Sequence, residues 1–262
     1  MRWGAEALWE QVSPRLPGFT VEILPEIDST NTELMRRARA GQTEPVLLVA
    51  ERQTAGRGRL GRVWQGAPGD SLMFSLALPL AMADWSGLSL AVGVAVAESL
   101  HPRVGLKWPN DLWVSDAAGD RKLGGILIES ALMGAPAAPR QAVIGIGINL
   151  ATRPTEGLST PPAALSDLLP GIDAPAALAR IVLPLVTMLQ DFEAQGFAPV
   201  RPRFAARDVL AGRAVRLTDG TEGQATGVTD NGALLVHTAS GMKTVTSAEV
   251  SVRPVNPPGP GA

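Results

Sequence analysis

The sequence predicts an α+β fold: a mixed, largely antiparallel sheet with helices, followed by a small β-barrel. Three observations predict it. Most apolar segments up to residue 150 are strand-sized and follow one another through turns rather than helices, which favours antiparallel pairing. Residues 86–100 and 174–195 carry longer apolar patterns that read as helices. From about Ala211 the pattern changes to five short strands, RAVRLT, EGQATGVT, ALLVHT, MKTVT and VSVRP. Their connections carry Asp219-Gly220, Asn231-Gly232 and Ser240-Gly241, which are hairpin signals. The chain therefore divides into residues 1–206 and a unit of SH3 size, residues 207–262, whose tail from about 255, NPPGPGA, is expected to be disordered.

In order, residues 5–16 read as a short helix and Val21–Leu24 as a strand. Asp28-Ser29-Thr30 supplies an N-cap for the charged helix TELMRRARAG, which closes at Gly41. PVLLVAE (45–51) reads as a buried strand running into an Arg/Gly loop, and SLMFSLALP (71–79) as the next strand. SGLSLAVGVAVAESL (86–100) is a buried helix whose small residues favour close packing. VGLKW and DLWVS flank a tight turn at Pro109-Asn110 and read as paired strands. KLGGILIES (122–130) and QAVIGIGINL (141–150) follow, joined by a hairpin loop through GAPAAP. Residues 151–170 form a long Pro/Thr/Ser-rich loop. The helix over 174–195 should be kinked or interrupted at Pro184.

Composition limits the chemistry. The chain has 262 residues, 45% of them hydrophobic, and a formal net charge of −2, so no global positive charge points to nucleic acid or an anionic membrane. Cysteine is absent, which excludes disulfides, thiolate metal sites and cysteine nucleophiles. His101 and His237 are the only histidines, too few for a histidine-rich metal site. MRWGAEALWE has no signal-peptide pattern, and the apolar run Leu88–Ala97 is too short to span a bilayer. A cytoplasmic location is the expectation.

The most informative stretch is ERQTAGRGRLGRVW (51–64). Gly56, Gly58 and Gly61 let the backbone turn and expose its N–H groups, while Arg57, Arg59 and Arg62 add cationic forks suited to carboxylate and phosphate. The three glycines spell GxGxxG. A dinucleotide fingerprint, however, must end a strand and open a helix, and Gly66, Pro68 and Gly69 follow here. A nicotinamide site is therefore rejected. The chain has 20 arginines and only three lysines, Lys107, Lys122 and Lys243. Where arginine is so strongly favoured, a surviving lysine marks a place that needs a compact point charge. Three of the five asparagines, Asn31, Asn110 and Asn149, fall in the same few segments as the informative lysines and glycines.

Taken in order, DSTN (28–31), QTAGRGRLGRVW (53–64), KWPND (107–111), KLGGILIE (122–129) and GIGIN (145–149) resemble the biotin protein ligase family; GRAVRL and TDNGALLV extend the likeness into the terminal unit. The resemblance implies a class II aminoacyl-tRNA synthetase-like core carrying biotin and ATP, with an SH3-like domain behind it. It implies ATP-dependent joining of biotin, through biotinyl-5′-AMP, to a lysine of a biotin carboxyl carrier protein or another biotin-accepting carboxylase domain. Only 27 residues precede DSTN, which leaves no room for the helix-turn-helix of repressor members, so no nucleic acid partner is expected. Monomer and homodimer both stay open. Two departures stand out: Asp70-Ser71-Leu72 replaces a usual Asn-Leu, and PPAALSDL (161–168) matches the adenine-site loop only loosely, so adenine contacts in 151–170 are unassigned.

The resemblance assigns roles by motif. Lys122 contacts the biotin carboxylate and the α-phosphate; Arg59 and Arg62 meet phosphates; Arg57 folds over the intermediate and excludes water. Lys107 reaches pyrophosphate or forms a structural salt bridge. Ser29, Thr30 and Gln53 address the ureido ring, with Asn31 also binding biotin, although Ser29-Thr30 can be read as a helix cap alone. Trp64, Gly124, Gly125, Gly145 and Gly147 shape the biotin walls, with Gly56 also binding biotin, and strand glycines can instead serve packing alone. Asn110 and Asn149 contact the adenylate. Asp111 orients or deprotonates the acceptor lysine, or merely stabilises a turn. Mg²⁺ accompanies ATP, with no dedicated protein ligands. The alternatives are a lipoate or octanoate ligase or transferase of the same superfamily, and a non-catalytic biotin-responsive binding protein.

Overall fold

The computed structural model describes residues 1–64, 66–117, 119–132, 139–152, 160–246 and 252–254. The GAPAAP hairpin loop, most of the central part of the 151–170 loop and the tail expected to be disordered lie wholly or mainly outside the described residues.

A seven-stranded sheet organises the larger part of the chain: β1 (Thr20–Ile27), β2 (Val46–Gln53), β3 (Ser71–Leu80), β4 (Gly105–Lys107), β5 (Asp111–Asp116), β6 (Gly119–Leu132) and β7 (Arg140–Asn149). The spatial order is β1-β2-β3-β7-β6-β5-β4. Only β1 and β2 pair in parallel; every other neighbour pair is antiparallel. The expected mixed, largely antiparallel sheet is therefore present. β1 runs longer than Val21–Leu24, because its backbone pairs with β2 through Ile27 whatever the polarity of its side chains.

The two sheet faces follow from alternation in QAVIGIGIN. Ala142, Ile144, Ile146 and Ile148 face one way and join a continuous core with α1 (Ala5–Val12), α3 (Leu88–Leu100) and α4 (Ala174–Gln195). Gln141, Val143, Gly145, Gly147 and Asn149 face the other way. On that side α2 (Thr30–Arg39) packs Leu34, Met35 and Ala38 against Leu48, Ala77 and Val143. α3 is buried nearly all round because α4 covers the side that the sheet does not. The small residues of AVGVAVA allow that close approach.

α4 runs as one 22-residue helix through Pro184, so of the expected kink or interruption the interruption does not occur. Pro184 and Arg180, whose carbonyl loses its usual N–H partner, both lie on the exposed side, open to solvent. The buried side, from Ala177 to Phe192, holds the helix in place. α4 is also long and apolar enough to cross a membrane, but its apolar side is the protein core.

After the short α5 (Arg201–Ala205) come β8 (Ala214–Leu217), β9 (Glu222–Val228), β10 (Leu234–Thr238), β11 (Gly241–Val245) and β12 (Val252–Pro254). They form one sheet in the order β11-β10-β9-β8-β12. The five expected strands are thus all present. Their core, including Val215, Leu217, Leu234 and Val236, is continuous with that of the larger part. At the junction, the fully buried Trp108 donates its indole N–H to the Gly232 carbonyl at 3.0 Å.

Candidate active site

A cleft of about 1010 Å³ opens on the α2 face of the larger sheet, where α2 begins, β2 ends, and β6 and β7 carry their glycines. Six cationic side chains line it, Arg57, Arg59, Arg62, Lys107, Lys122 and Arg253, against three acidic ones, Asp70, Asp111 and Asp120. A chain with net negative charge thus concentrates positive charge in this cleft, which suits an anionic ligand.

One end of the cleft is a polar floor. Ser29, Thr30 and Asn31 are all buried at the start of α2. Ser29 caps the helix, its hydroxyl accepting from the Thr32 N–H at 3.4 Å, and it also lines the cleft, so both of its expected roles are compatible. Gln53 Oε1 accepts from the Thr30 N–H at 2.8 Å, which leaves its Nε2 as the donor end. Thr30 Oγ1 lies 2.7 Å from Ser75 Oγ, and Ser75 donates to Asn31 Oδ1 at 2.6 Å. Each hydroxyl has one proton; Ser75 gives its own to Asn31, so the 2.7 Å contact needs the Thr30 proton, which Ser75 takes in preference to Gln53 Oε1 at 3.3 Å. Asn31 Nδ2 then donates to the Leu127 carbonyl at 3.3 Å and to Glu129 Oε2 at 3.0 Å. The floor is therefore oriented from one end to the other.

The glycines have distinct tasks. A Cβ at Gly145 would collide with the Asn31 amide, and one at Gly147 would enter the Trp64 ring. Gly125 lies under the other edge of that ring, 3.6 Å from Trp64 Cζ3 to where its Cβ would stand. These three make room at the cleft wall. Gly124, expected in the wall, does not line the cleft; it lies on the opposite face against the Gly147 carbonyl and Leu112, which is strand packing alone. Gly56 does not line the cleft; it sits behind the loop, its carbonyl accepting from the Trp64 N–H at 2.9 Å.

The Arg/Gly segment is a small hairpin-like loop, not a helix start. Arg57 bridges Val63, and the Gly58 N–H donates to the Arg62 carbonyl at 2.7 Å. A short 3₁₀ turn over Arg59–Gly61 forms its tip, with Leu60 in the left-handed region at φ 55° and exposed. β3 follows directly, so no dinucleotide-type strand–turn–helix exists here. Arg57 Nη1 is 3.2 Å from Glu129 Oε1, and Arg59 Nη1 is 3.5 Å from Asn110 Oδ1. Arg62 is exposed at the cleft mouth.

The other end of the cleft is a cation cluster. A bulge at Leu123 pairs Trp113 with Lys122 and Leu112 with Gly124. That extra residue puts Lys122 on the same face as Gly125 and Asp111, which strict alternation would not do. Lys122 Nζ meets Asp111 Oδ1 at 2.6 Å, and Lys107 Nζ lies 3.9 Å from Asp111 Oδ2. Lys107 also sits over the Trp113 ring, 5.4 Å from its centroid. Burial, with Lys122, Arg62 and Arg59 nearby, pushes the Lys107 ammonium down to about 8, opposed by Asp111. Burial likewise lowers Arg59. Asn110 Nδ2 donates to the Ile126 carbonyl at 2.8 Å, and Asn149 Nδ2 to the Lys122 carbonyl at 3.1 Å; both hold the strands that carry the charged groups.

Sixteen of the eighteen sequence-derived site residues line this one cleft, Gly56 and Gly124 being the exceptions. Several lining or supporting residues escaped the sequence reading. Ser75 lies in an apolar run, and only pairing of β2 with β3 brings it to Thr30. Thr160, Pro161 and Pro162 reach the cleft because the Lys122 N–H donates to the Pro161 carbonyl at 2.8 Å. Val252, Arg253 and Pro254 come from the C-terminal sheet.

An α+β domain with a polar pocket running into a cation cluster beneath an Arg/Gly loop defines a class: enzymes that join a small acid to a nucleotide. Comparison with known proteins narrows it. Residues 23–149 match the biotin/lipoate A/B protein ligase family, and residues 211–253 match the biotin protein ligase C-terminal domain. The chain is 35% identical over 255 residues to the bifunctional ligase/repressor BirA of Escherichia coli, covering 93% of this chain and 77% of that protein. It is 30% identical over 251 residues to the biotin–[acetyl-CoA-carboxylase] ligase of Paracoccus denitrificans, covering 87% and 98%. The biotin protein ligase of Aquifex aeolicus, solved in complex with biotin and ATP, matches with a TM-score of 0.74 at 28% identity over 90% of this chain and 99% of that one. The chain belongs to the biotin protein ligase family.

Proposed function

We infer that this chain is a ligase that uses ATP to join biotin to a lysine of a carrier protein. The observation that carries the reading is the continuity of the oriented Thr30–Ser75–Asn31 floor with the Lys122–Asp111–Lys107 cluster in one cleft. The first suits a neutral, polar ring; the second suits a carboxylate meeting phosphate.

The chemistry needs no protein nucleophile. A biotin carboxylate oxygen attacks the α-phosphorus of ATP; the bond to the β-phosphate oxygen breaks, giving biotinyl-5′-AMP and pyrophosphate. A lysine amine of the acceptor then attacks the acyl carbon, AMP leaves, and the amine gives up a proton. Two anions must be held together, so positioning and charge neutralisation dominate. Lys122 serves the carboxylate and the α-phosphate, with Arg59, Arg62 and Lys107 on the phosphates. Arg57 covers the anhydride, and Asp111 receives the acceptor ammonium. Trp64 with Gly125 and Gly147 walls the biotin rings. Asn110 and Asn149 support the adenylate side, and Arg253 adds a cation from the C-terminal sheet.

Mg²⁺ belongs to this reading as the companion of ATP. Among the described residues no three carboxylates or histidines gather to hold a metal, so phosphates and water are its ligands and no step is assigned to it. The larger part is read as class II synthetase-like and the C-terminal sheet as an SH3-like barrel, because β12 returns to β8 across a four-strand meander. The partner is a biotin carboxyl carrier protein or a similar carboxylase domain in the cytoplasm; nucleic acid has no part in the reaction.

The test is pyrophosphate release and carrier mass with purified protein, ATP and biotin, lipoate or octanoate. Release with biotin, and a carrier mass gain of one biotinyl group, is the expected result. Preference for lipoate or octanoate would select the alternative transfer reaction, and biotin binding without release would leave a binding protein.

A further inference from the structure

KLGGILIE ends on a glutamate to which none of the chemistry above gives a task. Glu129 sits on β6, on the same face as Gly125 and Leu127, about one-fifth exposed. Its carboxylate serves two elements. Oε2 accepts from Asn31 Nδ2 at 3.0 Å, at the end of the oriented floor. Arg57 Nη1, on the Arg/Gly loop, lies 3.2 Å from Oε1, donates to Oε2 at 3.4 Å and approaches Thr32 Oγ1 at 3.5 Å.

We propose that Glu129 is a positioning residue whose carboxylate couples the pocket floor to the Arg/Gly loop. The two bonds differ in strength. Asn31 is 4% exposed, and removing the acceptor of its Nδ2 leaves a buried donor short of a partner. The Leu127 carbonyl is then the acceptor left to Nδ2, so the amide that orders Ser75 and Thr30 is held less firmly. The Arg57 pair is half exposed on the arginine side and correspondingly weak. It is strong enough to bias the empty loop and weak enough to yield when a ligand anion competes for Arg57. The buried bond holds the carboxylate in place while Arg57 comes and goes.

The inference rests on the ligase reading only through its use of biotin as a probe. Glu129→Gln keeps an acceptor for Asn31 and removes the charge that holds Arg57. Glu129→Ala removes both. Hydrogen exchange of residues 56–64 in the ligand-free protein reports the loop, and calorimetry with biotin reports the floor. In Glu129→Gln, loop amides are expected to exchange about threefold faster, the size of a weak exposed pair, with biotin affinity within about threefold of wild type. In Glu129→Ala, biotin affinity is expected to fall about tenfold or more as well. In an Arg57→Ala background, Glu129→Gln should no longer alter loop exchange. Unchanged loop exchange in Glu129→Gln, or an equal effect in the Arg57→Ala background, overturns the coupling. A folded Glu129→Gln that loses biotin as fully as Glu129→Ala overturns the assignment of the floor bond to an acceptor oxygen and of the loop bond to the charge. If wild type fails to bind biotin, the ligase reading falls while the ligand-free loop comparison still decides the Arg57 half of this proposal.

Discussion

Lys122 Nζ lies 2.6 Å from Asp111 Oδ1, while the other oxygen of the same carboxylate faces Lys107 at 3.9 Å. One carboxylate thus holds two ammonium groups that repel each other. A ligand carboxylate or phosphate reaching Lys122 replaces Asp111 as its partner and leaves that oxygen free. Arginine cannot make this exchange in the same space, because its planar fork is wider than an ammonium. Lys122→Arg is expected to lose about 10²-fold or more of adenylation while keeping its charge, as for a contact that strengthens in the transition state. Near-normal pyrophosphate release from Lys122→Arg would sink the bridging role.

Asp111→Asn is expected to slow transfer to the carrier more than it weakens biotin binding. Asparagine keeps the shape but neither attracts an ammonium nor takes a proton. Supplying preformed biotinyl-5′-AMP isolates the second step. Transfer at the wild-type rate would leave Asp111 as a scaffold for the two lysines and nothing more.

Lys107 gives a pH prediction. In the ligand-free protein its ammonium is held down to about 8, chiefly by burial. Below that pH it is charged and attracts phosphate; above it, it is neutral. The kcat/KM for ATP should therefore fall as pH rises through about 8. Loss of fold does not explain such a fall. The ordinary lysine value is 10.5, so between about 8 and 10.5 the unfolded chain binds the extra proton and this group's contribution to stability rises with pH. Lys107→Arg, charged throughout, should abolish the inflection. An unchanged inflection in that variant assigns it to another group.

Arg57→Ala should separate synthesis of the adenylate from its retention. Arg57 is 48% exposed on a loop closed by few cross-bonds, so it covers the cleft more than it builds it. The adenylate is expected to form, escape and modify lysines of a bystander such as albumin, read by mass spectrometry. Adenylate production without bystander labelling counts against the covering role.

Much of this arrangement is legible in the sequence because rare residue types mark it. Three lysines in a chain of 20 arginines single out Lys107 and Lys122, and glycines at alternate positions of GIGIN announce a strand face stripped of side chains. What is not legible is what long-range pairing creates. Counting by twos from Glu129 puts Lys122 on the wrong face of β6, and only the bulge at Leu123 restores it. Ser75 reads as a polar interruption of SLMFSLALP until β3 meets β2 and α2. Pro184 reads as a break because its neighbours in space, which keep α4 whole, are distant in sequence. Arg253 carries no local signal at all.

Arg253 gives the C-terminal sheet a place at the cleft. Deleting that sheet would strip partners from the core and leave the Trp108 indole N–H without the Gly232 carbonyl, so loss of function would report instability. A point change is cleaner. Arg213 pairs with Asp120 at 2.7 Å, which brings the C-terminal sheet to the start of β6, two residues from Lys122. Arg253 enters the cleft from that sheet, whereas the polar floor comes entirely from α2, β2, β3 and β6. Arg253→Ala should therefore raise the KM for ATP by about five- to tenfold, the effect of one charge-assisted phosphate contact, and leave biotin affinity within about twofold. Steady-state kinetics and biotin calorimetry on the same folded preparation decide it. An equal loss of both affinities would mean that the C-terminal sheet helps shape the biotin pocket and that the division at residue 207 does not separate chemistry from support.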